Sequence, residues 1–450
     1  MTGLRTHAWI AVLLAVALGQ RAMADPPPAD AEILTAETAV ASALQHNPEL
    51  AVARKQRGIA QANVVIARTY PFNPLFTSLT LAARGNDVVN HTFTENYIRI
   101  DVEMRGQMRI RKAAAAAALS RTESEIAAQE LSVAVRTLRA FTAFIYRQDK
   151  MRLLEDTIKL QDQTVQKVKL LADQGKLKAA DLMLARADLV EAQAQRGPAN
   201  AVSIAAWNDL RKVIGAEHEF AGFNGRLEPF LFEDDATELI RHALSNRPDL
   251  HALHLAVIEA DHRARLEVAN RFGNPSIGPA MEYNETGDHF WGVYFVLPLP
   301  ALNCRKGEIM LRVAERDKAL QDKRRVEIQT TFDVKAAIAR LAEAQKWVKH
   351  FGSESLPTLQ TTMDAFEKLF AAGEPGVDVG RLIDARRRLL RARDGYLDAL
   401  WELNQARIDL AAAVGDIELA LPPREVLPVP TPPSAESTNR PHLLPPVAQH

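Results

Sequence analysis

The residue types best suited to metal chemistry lie close together in the middle of the chain, at His251, His254, Asp261 and His262. Imidazole and carboxylate groups bind transition metals, and these spacings would bring pairs of them near one face of a helix. A histidine on such a helix is more often solvated or packed than a metal ligand. We therefore predict no metal site, and metal binding by the three histidines stays the open alternative.

Thiol chemistry and nucleotide chemistry have little support. The single cysteine, Cys304, excludes an intramolecular disulfide and any multi-cysteine zinc or iron–sulfur cluster. The sequence contains no phosphate-binding Gly-x-x-x-x-Gly-Lys-Ser/Thr motif and no nucleophile elbow. We predict that the protein is not an enzyme and needs no cofactor.

The composition favours long helices over ordinary globular domains. The 450 residues carry 55 Lys and Arg against 56 Asp and Glu, a formal net charge of -1 that gives no support for a nucleic-acid binder. Long stretches are rich in Ala, Leu, Gln, Glu, Lys and Arg, which is typical of long helices and coiled coils. The 24 prolines and 21 glycines are so unevenly placed that whole segments have neither.

The first residues, 1–24, have the pattern of a secretory signal peptide. Arg5 precedes an apolar run of about 11 residues, and an Ala-x-Ala site ends at Ala24. No cysteine lies near this site, so no N-terminal lipidation is expected. No later window holds the roughly 18 consecutive apolar residues of a transmembrane helix. We expect an exported protein that either is soluble or meets a membrane through β-strands.

The chain contains two copies of one unit. The segment ALQHNPEL at 43–50 is echoed by ALSNRPDL at 243–250, and each copy finishes with a glycine, Gly215 and Gly415. Such self-similarity indicates a duplicated structural unit. The predicted organisation is a first repeat at 25–215, a linker at 216–234, a second repeat at 235–416 and a Pro-rich disordered tail at 417–450.

Each copy contains two short runs with the alternation of β-strands. They form predicted hairpins at 75–104 and 276–299, in which residues such as Ile98 or Val293 alternate with polar or small residues. Strands of about 10 residues with one apolar face fit a transmembrane β-hairpin. A hairpin of a small periplasmic sheet fits the strands equally well.

Two long helical hairpins decide between these interpretations. Residues 107–174 contain neither glycine nor proline and would form a helix of about 100 Å, followed by a turn and a return helix. Copy two repeats the plan from Lys306, with an expected break at 352–357. The apolar stripe of so long a hairpin can be buried only against similar helices. The predicted fold is therefore elongated, with neighbouring chains supplying part of the packing.

Over residues 35–416 this plan resembles the TolC-type outer-membrane efflux channels. The resemblance rests on the paired Asn/Arg-Pro-Glu/Asp-Leu openings at 47–50 and 247–250 and on the tip patterns at 175–185 and 376–385. Within that family, the segments VEMRGQMRIR at 102–111 and LPLPALNCRKGE at 297–308 are most similar to the heavy-metal cation efflux (CzcC-like) subgroup. They depart from its usual Gly-Gly-Lys-Arg and Asn-Arg patterns at 105–108 and at Cys304.

The resemblance implies a mainly α fold with a membrane β-barrel. Long α-helical hairpins would form a periplasmic α-barrel, and four β-strands per protomer would close a 12-stranded barrel in a homotrimer, because open strand edges are costly in lipid. It also implies a passive exit duct in the outer membrane that extends into the periplasm. The duct would take its cargo, heavy-metal cations in this subgroup, from a resistance-nodulation-division pump and a periplasmic adaptor.

The resemblance assigns roles to the helix-turn-helix tips. Acids at the closed end of the tunnel would repeat threefold as rings and favour cations. The gate candidates are Asp181, Glu374, Asp378 and Asp384, with Arg381 as a partner that holds the tip shut. The adaptor-contacting candidates are Ala172, Gly175, Leu177, Lys178 and Leu182 in copy one and Ala372, Gly376, Val377, Val379 and Leu382 in copy two. Ordinary turn chemistry and core packing would explain the same residues.

Other functions are also compatible with the sequence. A periplasmic coiled-coil scaffold or adaptor outside the membrane would explain the helices and the signal peptide, but it leaves two amphipathic hairpins without a purpose. The same channel could instead serve drugs, other organic compounds or protein secretion, because an exit duct accepts what its pump delivers.

Overall fold

The computed structural model describes residues 33–85, 88–215, 220–231, 235–284, 286–372 and 378–421. The signal peptide predicted at 1–24 lies outside the described residues. The helices in these ranges are α1 (Ala36–His46), α2 (Pro48–Arg68), α3 (Gln107–Asp173), α4 (Ala179–Ala194), α5 (Arg196–Ile214), α6 (Ala236–Asn246), α7 (Pro248–Ala269), α8 (Lys306–His350), α9 (Leu356–Ala372) and α10 (Val379–Val414). The strands are β1 (Ile33–Leu34), β2 (Leu75–Gly85), β3 (Val88–Asp101), β4 (Gly222–Phe223), β5 (Ser276–Tyr283) and β6 (His289–Val296).

The duplication predicted from the sequence reappears as a repeated contact at the start of each copy. Asn47 ends α1 and caps α2, because its Oδ1 accepts the N–H groups of Glu49 at 2.9 Å and Leu50 at 3.2 Å. Its Nδ2 donates to the carbonyl of Val213 at 2.7 Å, near the C-terminus of α5. The Asn-Pro motif thus joins the beginning of a copy to its end.

Copy two makes the equivalent contact with a different side chain. Arg247 donates to the carbonyl of Ala413 at 2.9 Å, near the C-terminus of α10. Gly215 and Gly415 end the two helices in the left-handed conformation, with φ of 70° and 84°. A Cβ on Gly215 would lie 2.9 Å from the carbonyl oxygen of His46, so only glycine fits this approach.

The long helix of copy two is continuous, and the break expected at 352–357 was wrong. A π-helical turn at Phe351–Ser355 joins α8 to α9, and the three segments of 45, 5 and 17 residues together match the 67 residues of α3. Pro357 cannot donate to the helix ladder and crowds the preceding turn. The wider turn just before it absorbs that defect without ending the helix.

Four antiparallel strands form the main sheet, in the order β2-β3-β5-β6. The hairpins predicted at 75–104 and 276–299 are observed at Leu75–Asp101 and Ser276–Val296. Pro298 cannot donate to a ladder, which is why β6 stops before it. Strands β2 and β6 are the open edges of this sheet. No helix within the described ranges is both long enough and apolar enough to cross a bilayer.

The main core lies where the two copies and the connecting segment meet. Phe144 of α3 packs against Trp207 of α5 and Phe223 of β4, with ring centroids 5.1 Å and 4.8 Å apart. Strand β4 pairs in parallel with β1, and Leu227 is buried nearby. The described part of the predicted linker therefore fills the core, and its description as a mere connection has to be corrected.

The ordered chain also continues past the predicted start of the tail. Residues Ile417–Ala420 form a 3-10 turn, and Arg407 donates to the carbonyls of Leu419, at 2.7 Å, and of Leu421. The Arg407 guanidinium lies 4.3 Å from the ring centroid of Phe230. Burial lowers the pKa of Arg407 to about 10, which leaves it charged at neutral pH. The predicted start of the tail at 417 is therefore wrong, because the chain is ordered to Leu421, and residues 422–450 lie outside the described residues.

We expect Asn47→Ala to lower the free energy of unfolding by about 2 kcal/mol. About half of this comes from the lost helix cap and the rest from the partly buried Val213 carbonyl left without its donor. Asn47→Ser keeps a capping oxygen and loses only the donor to Val213, so its loss should be smaller. Urea titrations followed by far-UV circular dichroism measure both variants, and an unchanged midpoint for Asn47→Ala would refute the role assigned to this contact.

Candidate functional site

One face of the four-stranded sheet is apolar and open. The register places Phe76 opposite Ile98 and Ile277 opposite Phe295, so these four side chains share a face. Trp291, Val293 and Phe295 on the edge strand β6 are 79%, 73% and 61% exposed. The alternation predicted from the sequence is confirmed. The described part of the chain leaves this face uncovered.

The other face of the sheet carries most of its polar groups. Glu95 lies opposite Glu282, and the rings of Tyr97 and Tyr294 stack over the intervening strand at 4.5 Å, nearly parallel. Arg99 Nη1 donates to the Tyr294 hydroxyl at 3.5 Å. A sheet with one apolar and one polar face can separate lipid from water.

Polar side chains join the sheet to the start of α3 and to the segment of copy two that leads into β5. Gln107, the first residue of α3, is 1% exposed, and its Nε2 donates to Asn274 Oδ1 of copy two at 2.8 Å. Arg111 pairs with Glu103 at 2.6 Å, and the Tyr70 hydroxyl donates to the carbonyl oxygen of Asp101 at 2.6 Å. Gln107 is one of the positions that depart from the heavy-metal subgroup, and here it connects the two copies.

Two gate candidates cap the return helices at the far end of the molecule. In copy one, Asp181 accepts the N–H of Lys178 at 3.1 Å, at the start of α4. In copy two, Asp378 accepts the N–H of Arg381 at 2.8 Å, at the start of α10. The acidic residue comes after the basic one in copy one and before it in copy two. Each tip therefore has one hydrogen bond at the start of its return helix and one residue of each charge.

The two tips pack together through a small apolar cluster. Val168 of α3, Ala185 of α4 and Val379 and Ile383 of α10 form its buried centre. Leu177, Leu182 and Phe370 are half-buried around this centre. The contact holds the hairpin of copy one against that of copy two.

The structure divides the adaptor-contacting candidates by exposure. Val379 and Leu382 are 0% and 5% exposed, so core packing explains these two, and they offer no surface to a partner in this conformation. Leu177, Leu182 and Ala172 are half-buried. Gly175, Lys178 and Ala372 are exposed. The last two, Gly376 and Val377, lie outside the described residues, as does the gate candidate Glu374.

An ion-pair network farther from the turns joins the two hairpins. Asp188 of α4 is 7% exposed, and its Oδ1 accepts from Arg387 Nε of α10 at 2.7 Å. Its Oδ2 accepts from Gln161 Nε2 of α3 at 2.8 Å. Arg387 also reaches Glu191 at 2.9 Å. The hydrogen bond and the charge of Asp188 raise the pKa of Arg387, so the guanidinium stays charged.

Arg386, the residue before Arg387 on α10, makes further contacts between helices. Its guanidinium donates to the Thr164 hydroxyl of α3 and to Glu367 of α9 at 2.7 Å. It also donates to the carbonyl of Leu160 at 3.4 Å. Three helices are therefore held by one side chain.

Sequence reasoning missed most of this network. Arg386 has a counterpart, Arg186, in the repeat, which was the one available signal. Asp188 and Arg387 carry no motif, and only the crossing of α4 and α10 brings them together. Asp384, the remaining gate candidate, is exposed and pairs with Arg388 on its own helix at 2.8 Å.

Two of the four residues considered for metal chemistry have other partners in the structure. His251 Nδ1 lies 3.0 Å from the Ser124 hydroxyl, and Asp261 pairs with Arg265 at 2.8 Å. Cys304 Sγ donates to the carbonyl of Pro300 at 3.2 Å. Among the described residues, no three His, Cys, Asp or Glu side chains come together as a metal site.

Comparison with known proteins identifies the fold and the family. The sequence matches the family described as outer membrane efflux protein over residues 39–216 and 239–416, one match for each copy. The structure is similar to that of CusC, with a TM-score of 0.70 and 15% identity, covering 85% of this chain and 92% of that one. A search of the curated proteins found no match.

Two further solved structures have the same fold. The Campylobacter jejuni CmeC outer membrane channel gives a TM-score of 0.67 at 14% identity, covering 84% of this chain and 85% of that one. The open state of the Neisseria gonorrhoeae MtrE outer membrane channel gives a TM-score of 0.67 at 16% identity, covering 85% of this chain and 89% of that one.

The family match accounts for the architecture. Its members are outer-membrane channels that extend into the periplasm, and they are not enzymes, as the sequence analysis predicted. They are trimeric and work with adaptor and pump partners. Both copies of the repeat match, so the chain belongs to the outer membrane efflux protein family.

Proposed function

We propose that this chain forms, as a homotrimer, the exit duct of a tripartite efflux system that discharges heavy-metal cations. The duct itself is passive, and a resistance-nodulation-division pump with a periplasmic adaptor supplies the energy and the cargo. The observation that carries the proposal is the duplicated pair of long helical hairpins ending in an amphipathic sheet with two open edges.

The open sheet supports assembly in a membrane. Each unpaired backbone group in hydrocarbon costs several kcal/mol, and the edges of β2 and β6 each present a row of such groups. Three chains would contribute four strands each to a closed barrel. The exposed face around Trp291 and Phe295 would then meet lipid.

Two features support a cationic cargo. The segments 102–111 and 297–308 are similar to those of the heavy-metal subgroup. Asp181, Asp378 and Asp384 bring carboxylates to the tips, where threefold repetition would make acidic rings. Carboxylate rings favour the passage of cations over that of anions and neutral compounds.

The tips would form the gate. The network of Asp188, Arg386 and Arg387 and the apolar cluster around Val168 hold the two hairpins of a chain together. Opening requires the hairpins to separate, so these contacts stabilise the closed state. Arg381 adds a positive charge at the tip, next to the cap formed by Asp378.

The adaptor would contact the outer surface of the tips. Gly175, Lys178 and Ala372 are exposed at the turns, and Leu170 and Met183 are exposed apolar residues beside them on copy one. The adaptor-contacting candidates outside the described residues, Gly376 and Val377, are assigned to the same proposed surface from their sequence positions alone.

Loss of the gene tests the cargo. We expect the deletion strain to become sensitive to zinc, cobalt or copper salts while its sensitivity to organic drugs stays unchanged, and a plasmid copy should restore resistance. Sensitivity to drugs alone would assign the channel to organic cargo. Recovery of the protein in the soluble periplasm would contradict a channel of any kind.

Weakening the network between the hairpins should favour the open state. Hydrogen bonds to charged groups contribute about 1.5–3 kcal/mol, so Arg387→Ala should raise the open-to-closed ratio by about tenfold or more. Because Arg387 is partly exposed, the lower end of that range is expected. Single-channel recording in planar bilayers measures the ratio.

Arg391→Ala is the matched control for this prediction. Arg391 lies one turn farther along α10 and is exposed. It makes no ion pair with the described residues. We expect wild-type gating from this variant, and equal effects of both substitutions would mean that any loss of charge on α10 opens the channel.

Neutralising the tip acids should lower cation selectivity. Asp378→Asn together with Asp384→Asn removes two charges per chain and keeps an oxygen acceptor for the cap of α10. The reversal potential in a salt gradient should then shift toward zero. Asp156→Asn, a loss of one exposed charge on α3, is the control, and unchanged selectivity in the double variant would exclude both acids from the gate.

A further inference from the structure

Four long helical passes run between the main core and the tips in the described chain, namely α3, α4 with α5, α8 with α9, and α10. Three of them lose their regularity at one level, at Gln195 between α4 and α5, at the π-helical turn Phe351–Ser355, and at Gly395 of α10. We infer that these three sites, here called the hinge level, are where the tip segments bend when the gate opens, while α3 stays straight. The inference rests on the gate of the proposed function and adds where the chain deforms.

Pro198 explains why the return pass of copy one is divided. Proline has no N–H, so the carbonyl of Ala194, four residues earlier, receives no helical hydrogen bond from it. Helix α4 ends at Ala194, and the N–H of Gln195 bonds instead to the carbonyl of Ala192 at 3.2 Å, as in a 3-10 turn. Gly197, beside the proline, adds backbone freedom. The helix ladder between α4 and α5 is therefore weakened at this point.

The spacing of apolar residues explains the π-helical turn of copy two. Buried residues of α8 recur in steps of four and three, at Thr330, Val334, Ala337, Leu341, Ala344 and Val348. Phe351 continues this row, and the row of α9 has the same steps, at Leu356, Leu359, Met363, Phe366 and Phe370. Between Phe351 and Leu356 the step is five residues, and the carbonyl of Phe351 accepts the N–H of Leu356. The wide turn thus takes up one extra residue and keeps both rows against α10.

Gly395 lies in the middle of α10, directly opposite the π-helical turn. A Cβ on this residue would lie 3.0 Å from Cζ and 3.2 Å from Cε1 of Phe351, so the ring packs against bare backbone. Glycine also weakens the interior of a helix, because it leaves the backbone more conformational freedom than alanine does. Both helices of the copy-two hairpin can therefore bend at the same place.

Contacts along α3 show that the three sites share one level. Arg196, the first residue of α5, lies 3.9 Å from Glu155 of α3. Lys150, little more than one turn away on α3, pairs with Asp394, the residue before the glycine of α10. An open cavity of about 520 Å³ at this level is lined by Lys150, Gln195 and Asp394, among others. The passes therefore cross this level with open space between them, into which a bending helix can move.

The segments on either side of the hinge level are held by contacts of their own. On one side lies the main core, with Phe144 and Leu403 buried, and on the other lie the pair of Asp188 and Arg387 and the apolar cluster around Val168. Helix α9 has 17 residues between the hinge level and the tip. It is about 25 Å long, so a bend of about 10° moves its end by about 4 Å. A small bend at the hinge level is thus enough to separate the tips.

Hydrogen exchange of the wild-type protein, purified from the outer membrane, tests the hinge level without any substitution. Peptides that cover residues 193–199 and 350–357 should exchange their amide hydrogens about tenfold faster than the peptide 152–158 of α3, because local opening begins where the helix ladder is weak. The peptide from α3 is the matched control, since it lies at the same level in an uninterrupted helix. Equal protection of the three peptides would overturn the hinge level.

Stiffening the hinge level should lower channel opening. Gly197→Ala together with Gly352→Ala favours straight helices, and neither new Cβ would lie within 3.7 Å of the atoms around it. In the Arg387→Ala background, in which the channel opens more often, this double substitution should lower the open-to-closed ratio about fivefold in single-channel recordings. Gly58→Ala with Gly307→Ala is the matched control, because both glycines lie in helices away from the hinge level with nothing within 4 Å of an added Cβ.

The outcomes separate the hinge level from the proposed function. Equal open-to-closed ratios in the two double variants would overturn the role of the hinge level in opening, although the protein would still be a channel. A protein that forms no channel in any of these backgrounds would refute the proposed function, and with it the gate on which the inference rests.

Discussion

The two open edges of the four-stranded sheet are the constraint on which the rest of this molecule depends. Backbone N–H and C=O groups without partners are tolerated in water but cost several kcal/mol each in hydrocarbon. The sheet of one chain therefore cannot enter a membrane alone. Its apolar face, with Trp291 and Val293 exposed, is nevertheless suited to contact lipid. Helix α2 also has exposed apolar residues, such as Ile59, that nothing in the described chain covers. Folding and assembly of such a chain are coupled.

The duplication lets two copies of one structural unit share the same internal contacts. The same contact, made by Asn47 in copy one and by Arg247 in copy two, closes each unit on itself. The copies differ where they face different neighbours. Glu259 of α7 meets an arginine inside the chain, whereas the corresponding Ile59 faces outward. The two copies thus share the contact that closes each unit and differ in the residues on the outer faces of their helices.

The tips combine two kinds of contact, which would respond differently if the proposed gate opened. The cluster around Val168 is apolar, and its exposure to water is unfavourable in any conformation. The pair of Asp188 and Arg387 is charged, and water can replace its partners once the hairpins separate. Gln161 and Arg387 between them hold both oxygens of Asp188, so neither oxygen of this buried carboxylate is unpaired.

Local rules fixed the elements of this fold from the sequence alone. The absence of glycine and proline between 107 and 174 gave the length of α3, and the alternation of apolar residues gave β5 with the bounds Ser276–Tyr283. The repeat motif located both copies, and the resemblance to a family supplied the function. The break expected at 352–357 did not occur, because the helix widens into a π-helical turn at Phe351–Ser355 that accommodates Pro357.

The sequence by itself thus determined the two copies, the helix and strand lengths and the amphipathic faces, since periodicity and backbone preferences act over a few residues. Only the tertiary structure decided that Phe223 of the linker fills the core, that Val379 is buried in the tip and that Asp188 meets Arg387. These contacts join residues far apart in the chain, and their geometry follows from how helices cross and pack. No local pattern encodes such a crossing, because many exposed charges and apolar residues in one sequence could serve as partners equally well.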